Sequence, residues 1–119
     1  VIEPQRLTDA LIEVSRRYRI PVIVTENGVA VDDYAGPDGE VRDIERMDFI
    51  DQHLNAMHEA IAQGADVIGY FHWSLLDNFE WMAGYSKRFG LVYVDFPSGA
   101  RIPKRSYAYY RDRVGAARR

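Results

Sequence analysis

A glutamate stands where a short β-branched run stops: Val22-Ile23-Val24-Thr25 leads into Glu26-Asn27-Gly28. A carboxylate at a strand terminus suits nucleophilic or acid–base work, because the strand fixes its backbone and holds the head group rigidly. The same stretch also reads as a surface carboxylate in a Glu-Asn-Gly turn. A second segment offers a different chemistry, running from Tyr70 through Phe71-His72-Trp73-Ser74-Leu75-Leu76-Asp77-Asn78-Phe79-Glu80-Trp81. Trp73 closes another apolar run, and an indole presents a flat, polarisable surface that matches the C–H faces of a sugar. A core aromatic is the plain alternative, and Tyr70 and Phe71 beside it read as just that. Glu80 and Trp81 fall in a long loop, where a charged group next to an indole has no obvious packing purpose. A carboxylate there can accept bidentate hydrogen bonds from two neighbouring hydroxyls, and an indole N–H can donate one more.

The elements that must position these groups alternate along the chain. Pro4 suits a first helical turn, and Leu7, Ala10, Leu11, Val14 and Tyr18 recur at helical spacing, which predicts an amphipathic helix over 4–18. Pro21 breaks it, and the unalternating run at 22–25 predicts a strand buried on both faces. A Gly-, Asp- and Pro-rich loop covers 29–42. Asp43 is a plausible N-cap for a longer helix lined by Ile44, Met47, Ile50, Leu54, Met57 and Ile61, with Gly64 placed to end it. Val67 to Trp73 predicts a second buried strand, Leu91 to Phe96 a hairpin arm, and Pro103 the start of a last helix with Tyr107, Tyr110 and Val114 inward. Strands alternating with helices predict a parallel α/β sheet with crossover helices. His53 and His58 read as surface or boundary residues, too far out of phase for a metal pair on one helix. His72 neighbours Trp73 on a strand and so faces the opposite way, towards the helices.

Composition narrows the classes. The chain has 119 residues, is 47% hydrophobic and carries a formal net charge of −3. That suffices for one core and argues against nucleic acid, which favours a strongly basic face. Arg118-Arg119 reads as a tail rather than a binding arm. Without cysteine, neither a disulfide framework nor a Cys-based zinc site is possible. No run approaches the ~18 apolar residues of a membrane helix, and no signal peptide is visible; a cytoplasmic location is favoured without being fixed. No cofactor or metal is expected.

Together, Thr25-Glu26-Asn27-Gly28 and Trp73-Ser74-Leu75-Leu76-Asp77-Asn78-Phe79-Glu80-Trp81, continued by Tyr85-Ser86-Lys87-Arg88-Phe89-Gly90, resemble glycoside hydrolase family 1, the retaining β-glucosidases and β-galactosidases. The resemblance covers essentially the whole chain. It implies a single segment, residues 1–119, forming the C-terminal part of a (β/α)8 TIM barrel with its last two strands and flanking helices. It implies that Glu26 is the nucleophile at the end of the seventh strand and that Trp73 is the platform beneath the non-reducing sugar. By the same resemblance Glu80 holds the 4- and 6-hydroxyls and Trp81 the 3-hydroxyl. Phe89 lines the sugar pocket, Asn27 shapes the turn and offers a polar contact, and Met82 sits toward the aglycone. Lys87 and Arg88 read as structural or loop-anchoring. Members acting on 6-phosphorylated sugars lack the glutamate at the position of Glu80, so the implied substrates are unphosphorylated β-glucosides, with galactosides and fucosides left open.

Part of the family's machinery has no counterpart here: the acid/base glutamate of an Asn-Glu motif, the upstream Gln and His that bind sugar, and the Tyr that hydrogen-bonds the nucleophile. A full barrel needs ~250 residues. The expected partner is therefore the N-terminal portion of the barrel, on the same polypeptide or a complementing chain, and the 119 residues alone are expected to be inactive. Two other readings are a non-catalytic sugar-binding or interaction module that kept Trp73, Glu80 and Trp81, and a small independent α/β domain. Two strands with both flanks unpaired expose backbone donors and acceptors along two edges. The isolated chain is accordingly expected to aggregate, oligomerise or stay molten; a monomer with dispersed amide resonances and cooperative unfolding would contradict this.

Overall fold

The computed structural model describes residues 2–117. The order is α1 (Gln5–Tyr18), β1 (Val22–Asn27), α2 (Ile44–Ala62), β2 (Val67–His72), β3 (Val92–Val94), β4 (Arg101–Pro103) and α3 (Arg105–Ala117). The Arg118-Arg119 pair lies outside the described residues. β1 and β2 pair in parallel, joined by the crossover helix α2, and β3 and β4 form a separate antiparallel hairpin. The expected hairpin arm is thus present, with its partner strand at Arg101–Pro103; Pro103 ends that strand, and the last helix starts two residues later than expected.

α1 packs on α2 through a face rotated from the predicted one. Thr8, Leu11 and Ser15 are buried, whereas Val14 and Tyr18 are exposed. Small polar residues make that seam: Thr8 Oγ1 donates to the Ala56 carbonyl at 2.8 Å, and Ser15 Oγ accepts from the Asp66 N–H at 2.9 Å. On α2 the buried stripe is Arg46, Phe49, Ile50, His53, Leu54, Ala56 and Ala60; Ile44 and Ile61 are exposed. His53 is therefore a core residue, not a boundary one. Its ring stacks on Phe49 with centroids 3.8 Å apart, and its Nδ1 lies 2.8 Å from the Phe49 carbonyl. The helix ends as expected. Gly64 adopts φ +94°, and the N–H groups of Gly64 and Ala65 close onto the carbonyls of Ile61 and Ala60, the paired bonds of a Schellman terminus.

Two apolar clusters anchor the sheet to the helices. Leu11, Val24, Ala60 and Ala65 join α1, β1 and α2, while Ile50, Leu54 and Leu91 meet Tyr70, Tyr107, Tyr109 and Tyr110 of β2 and α3. Neither strand is buried on both faces, contrary to the sequence expectation. Val24 is buried, but Ile23, Ile68 and Phe71 are 45%, 67% and 58% exposed. Helices cover one side of the two-stranded sheet, and nothing among the described residues covers the other. Phe71 is thus not a core aromatic here.

His72 packs against the helices, as expected, with its ring 6.0 Å from that of Tyr110. Both ring nitrogens are buried without a hydrogen-bond partner. Burial first, then the cationic side chains of Arg46 and Lys104, lowers its pKa to about 4 against the opposing pull of the Phe89 carbonyl. The unfolded chain takes up this proton near pH 6.5 and the folded one only near 4, so folding stability is full above the higher value and falls as pH drops between the two. The loss approaches ~3 kcal/mol for a shift of this size. Replacing His72→Phe in the protein should flatten the acid limb by roughly 2.4 kcal/mol, read as the difference in unfolding free energy between pH 7 and pH 4.5; an unchanged limb would refute it.

Candidate active site

The register of the parallel pair brings the two sequence motifs to one end of the sheet. Asn27 lies opposite His72, and the Trp73 N–H donates to the Asn27 carbonyl at 2.8 Å. Glu26, expected just beyond its strand, is the penultimate residue of β1 and is exposed. Trp73 directly follows β2 with 37% of its surface exposed, and the Trp73–Ser74 peptide bond is cis. Both residues thus stand at the carboxyl ends of neighbouring parallel strands.

Simple alternation would have placed Glu26 on the face of Val24, under α1 and α2. The pairing prevents it: Val24 is opposite Tyr70 and Asn27 opposite His72, so β1 uses one more residue than β2 over the same interval. A bulge of this kind re-aims the side chains beyond it. Asn27 falls in line with the helix-facing Tyr70 and His72, and Glu26 is left free of the helix layer. Asn27 is fixed there by the Tyr70 hydroxyl, which donates to its Oδ1 at 2.7 Å. Burial, followed by the nearby Tyr110 phenol, pushes the Tyr70 pKa up, which keeps that hydroxyl a donor. One lone pair of the Asn27 Oδ1 is therefore engaged within the chain, and its amide N–H2 remains for a polar contact.

Gly28 brings the two motifs into backbone contact. A Cβ at this position would lie 1.9 Å from the Trp73 carbonyl oxygen, so no other residue fits without moving one strand end from the other. Gly90 does the same for the long loop, where an added Cβ would meet the Asp77 nitrogen at 2.2 Å.

The loop between Trp73 and Gly90 has a rigid root and a bare tip. At the root, the Ser74 and Leu91 N–H groups donate to Phe89 and Ser74 carbonyls at 3.1 and 2.8 Å. Phe89, half-buried, thus contributes its backbone to the loop closure. At the tip, Glu80 closes a tight turn with Gly84, while Trp81 and Met82 are 91% and 99% exposed. Phe79 and Tyr85 meet edge to face at 5.5 Å. The tip residues project from the chain rather than lining an enclosed pocket among the described residues.

Beneath the loop lies a network that the sequence reading largely missed. Asp33, Asp43 and Asp77 pair with Arg46, Arg88 and Lys104, and every one of these side chains is buried or nearly so. Asp43 stands at the N-cap position of α2 but does not cap it; its carboxylate takes Arg46 and the Ser106 N–H and hydroxyl from α3. Arg88, read from sequence as an anchor, donates to Asp77 at 2.7 Å and to the Val94 carbonyl at 2.9 Å, and covers the Tyr93 ring at 4.0 Å. Lys87 makes only an exposed contact with Asp32 at 3.3 Å. Besides Arg88, a charge beside the apolar pair in Leu75-Leu76-Asp77 was the available sequence signal. Neither Glu26 nor Glu80 takes part in the network. No group of acidic and histidine residues among those described could hold a metal ion, and no helix of the described residues is long and apolar enough to cross a membrane.

Known proteins are similar to this chain in sequence and in fold. The family model for glycosyl hydrolase family 1 matches residues 1–118. A bifunctional β-D-glucosidase/β-D-fucosidase of Bifidobacterium breve is 49% identical over 115 residues, covering 92% of this chain and 25% of that protein. A 6-phospho-β-galactosidase of Staphylococcus aureus is 43% identical over 115 residues, covering 94% of this chain and 24% of its own length. The solved family 1 β-glucosidase from Thermotoga maritima superposes with a TM-score of 0.93 at 45% identity, over 96% of this chain and 26% of that one. The chain spans about a quarter of the length of these relatives, and its strands and helices are the C-terminal part of a TIM barrel. It belongs to glycosyl hydrolase family 1.

Proposed function

We propose that this chain supplies the nucleophile and several of the non-reducing sugar contacts of a retaining β-glucosidase. The observation that carries the reading is the juxtaposition at one sheet end: Glu26, accessible and rigidly held, beside a strand whose next residue is the half-exposed Trp73. In a double displacement the Glu26 carboxylate attacks the anomeric carbon as the bond to the leaving oxygen breaks. A second carboxyl, roughly 5–5.5 Å away, gives that oxygen its proton and then takes one from the water that cleaves the glycosyl ester. That second group belongs to the rest of the barrel, the partner this segment requires. Alone, the 119 residues should turn over no natural β-glucoside.

Trp73 serves as the platform under the terminal sugar, Glu80 accepts from its 4- and 6-hydroxyls, and Trp81 donates to the 3-hydroxyl, with Phe89 and Asn27 at the margin of the subsite. The Staphylococcus relative raises the alternative of a 6-phosphorylated substrate. The carboxylate of Glu80 opposes it, because it would repel a phosphate dianion and offers no donor. Unphosphorylated glucosides, with galactosides and fucosides as further candidates, fit better.

In the full-length protein, a 2-fluoro-glucoside inactivator should label Glu26. Glu26→Gln should lower turnover by on the order of 10³-fold or more, the scale on which removal of a catalytic nucleophile acts. Labelling of another residue, or near-normal activity of the variant, would exclude the assignment. Glu80→Ser should reduce kcat/KM for an unphosphorylated aryl glucoside by roughly 10²-fold, since it removes two charge-assisted hydrogen bonds; an unaltered constant would strip Glu80 of its role.

A further inference from the structure

Asp77 lies three residues before Glu80 in the same loop and is 4% exposed. Its carboxylate collects partners from separate parts of the chain. The Gly90 N–H donates at 2.9 Å, Arg88 at 2.7 Å, the Val94 N–H at 3.3 Å and Lys104, at the foot of α3, at 2.8 Å. The Asp77 N–H itself donates to the Val92 carbonyl at 3.0 Å. Lys104, wholly buried, reaches onward to Asp33 at 2.5 Å, and Asp33 receives Arg46 of α2 at 2.7 Å. Arg46 returns to the loop through the Arg88 carbonyl at 2.9 Å. One carboxylate thus ties the loop root to the segment after β1, to α2 and to α3.

The tip has no comparable hold. Trp81 and Met82 stand almost fully exposed, and the turn from Glu80 to Gly84 is closed by its own backbone. The turn is braced by aromatic contacts alone, Phe79 on Tyr85 at 5.5 Å and Tyr85 on Phe96 at 4.5 Å, whereas the root is clamped by charge, so the placement of Glu80 and Trp81 is decided chiefly at the root. We propose that Asp77 is a positioning residue for sugar recognition: its buried charge, shared between Arg88 and Lys104, sets the orientation in which Glu80 meets the substrate hydroxyls. The inference rests on the reading above that Glu80 contacts the 6-hydroxyl. An amide at this position would keep the shape, but it would turn an N–H2 group toward a cation and lose one acceptor.

The test compares kcat/KM in the full-length protein for an aryl β-glucoside and its 6-deoxy and 2-deoxy analogues. For Asp77→Asn, the preference for glucoside over the 6-deoxy analogue should shrink by roughly tenfold, because a misplaced reader no longer penalises the missing hydroxyl. The preference over the 2-deoxy analogue should stay as in the parent. Equal losses for all three substrates, or no change in the 6-deoxy preference, would overturn the proposal by reducing Asp77 to a stabilising residue. If Asp77→Asn yields no folded protein, Arg88→Lys decides by the same ratio, since Arg88 sits at the rim of the network with 15% of its side chain exposed. Glu80→Gln separates the two failures. If it erases the 6-deoxy preference while the Asp77 variant keeps it, positioning alone is wrong; if it leaves that preference intact, the Glu80 reading falls and the proposal with it.

Discussion

A carboxylate withdrawn from water must be met by cations and hydrogen-bond donors or it unfolds its surroundings, and Asp77 is the position where this constraint organises the chain. Its partners, Lys104, Arg88 and the Gly90 and Val94 N–H groups, lie on segments that the packing of Leu91 on α3 brings together and that the carboxylate then fixes in detail. Through Lys104 and Arg46 the same constraint reaches Asp33, in the loop that follows the Glu26 strand. The three acids and three bases cancel, which satisfies the requirement without burying a net charge. Replacing such an arrangement with apolar residues is often neutral or stabilising in other proteins. What it supplies here is direction: hydrophobic contacts tolerate small slips, whereas a carboxylate held by several donors does not.

The other fixed relation is between the two strand ends. Gly28 rests on the Trp73 carbonyl, and the Trp73 N–H donates to the Asn27 carbonyl, so the turn after Glu26 and the residue after β2 cannot move apart independently. The bulge before Asn27 then determines which way each side chain faces. Without the extra residue, Glu26 would share the face of Val24 and lie against helices, where an unpaired carboxylate is costly. With it, Asn27 takes the helix side, where Tyr70 can satisfy its amide oxygen, and the glutamate is left on the open side.

Much of this was legible in the residues themselves. The β-branched run into Thr25-Glu26, the helical spacing around Ile50 and Leu54, and Gly64 at a helix end each have a local cause, and each element appears. The faces were less legible. The α1 seam is made by Thr8 and Ser15, whose short hydroxyls serve backbone partners, while the more apolar Val14 and Tyr18 point outward. Periodicity ranks residues by polarity and cannot anticipate a hydroxyl satisfied across an interface. The bulge was invisible for a related reason, since register belongs to a pair of strands and not to either one. The ion network was invisible because its members are scattered from position 33 to 104, with only Asp77 and Arg88 suggesting themselves by context.

The contrast between the two sets of carboxylates bears on function. Asp33, Asp43 and Asp77 are buried and fully answered within the chain. Glu26 and Glu80 stand outside that network, the first exposed at its strand end and the second half-buried at the loop tip. Because the interior charges cancel among themselves, no surplus cation in the network compensates the outer two. The chain matches about a quarter of its relatives' length, and under the proposed reading the remainder of the barrel would supply donors to Glu26 and the hydroxyls of a bound sugar would meet Glu80. The exposed apolar residues Ile23 and Phe71 lie on the open face of the sheet, without apolar cover among the described residues. A body of protein packed across that bare face would cover Ile23 and Phe71 and enclose the two strand ends.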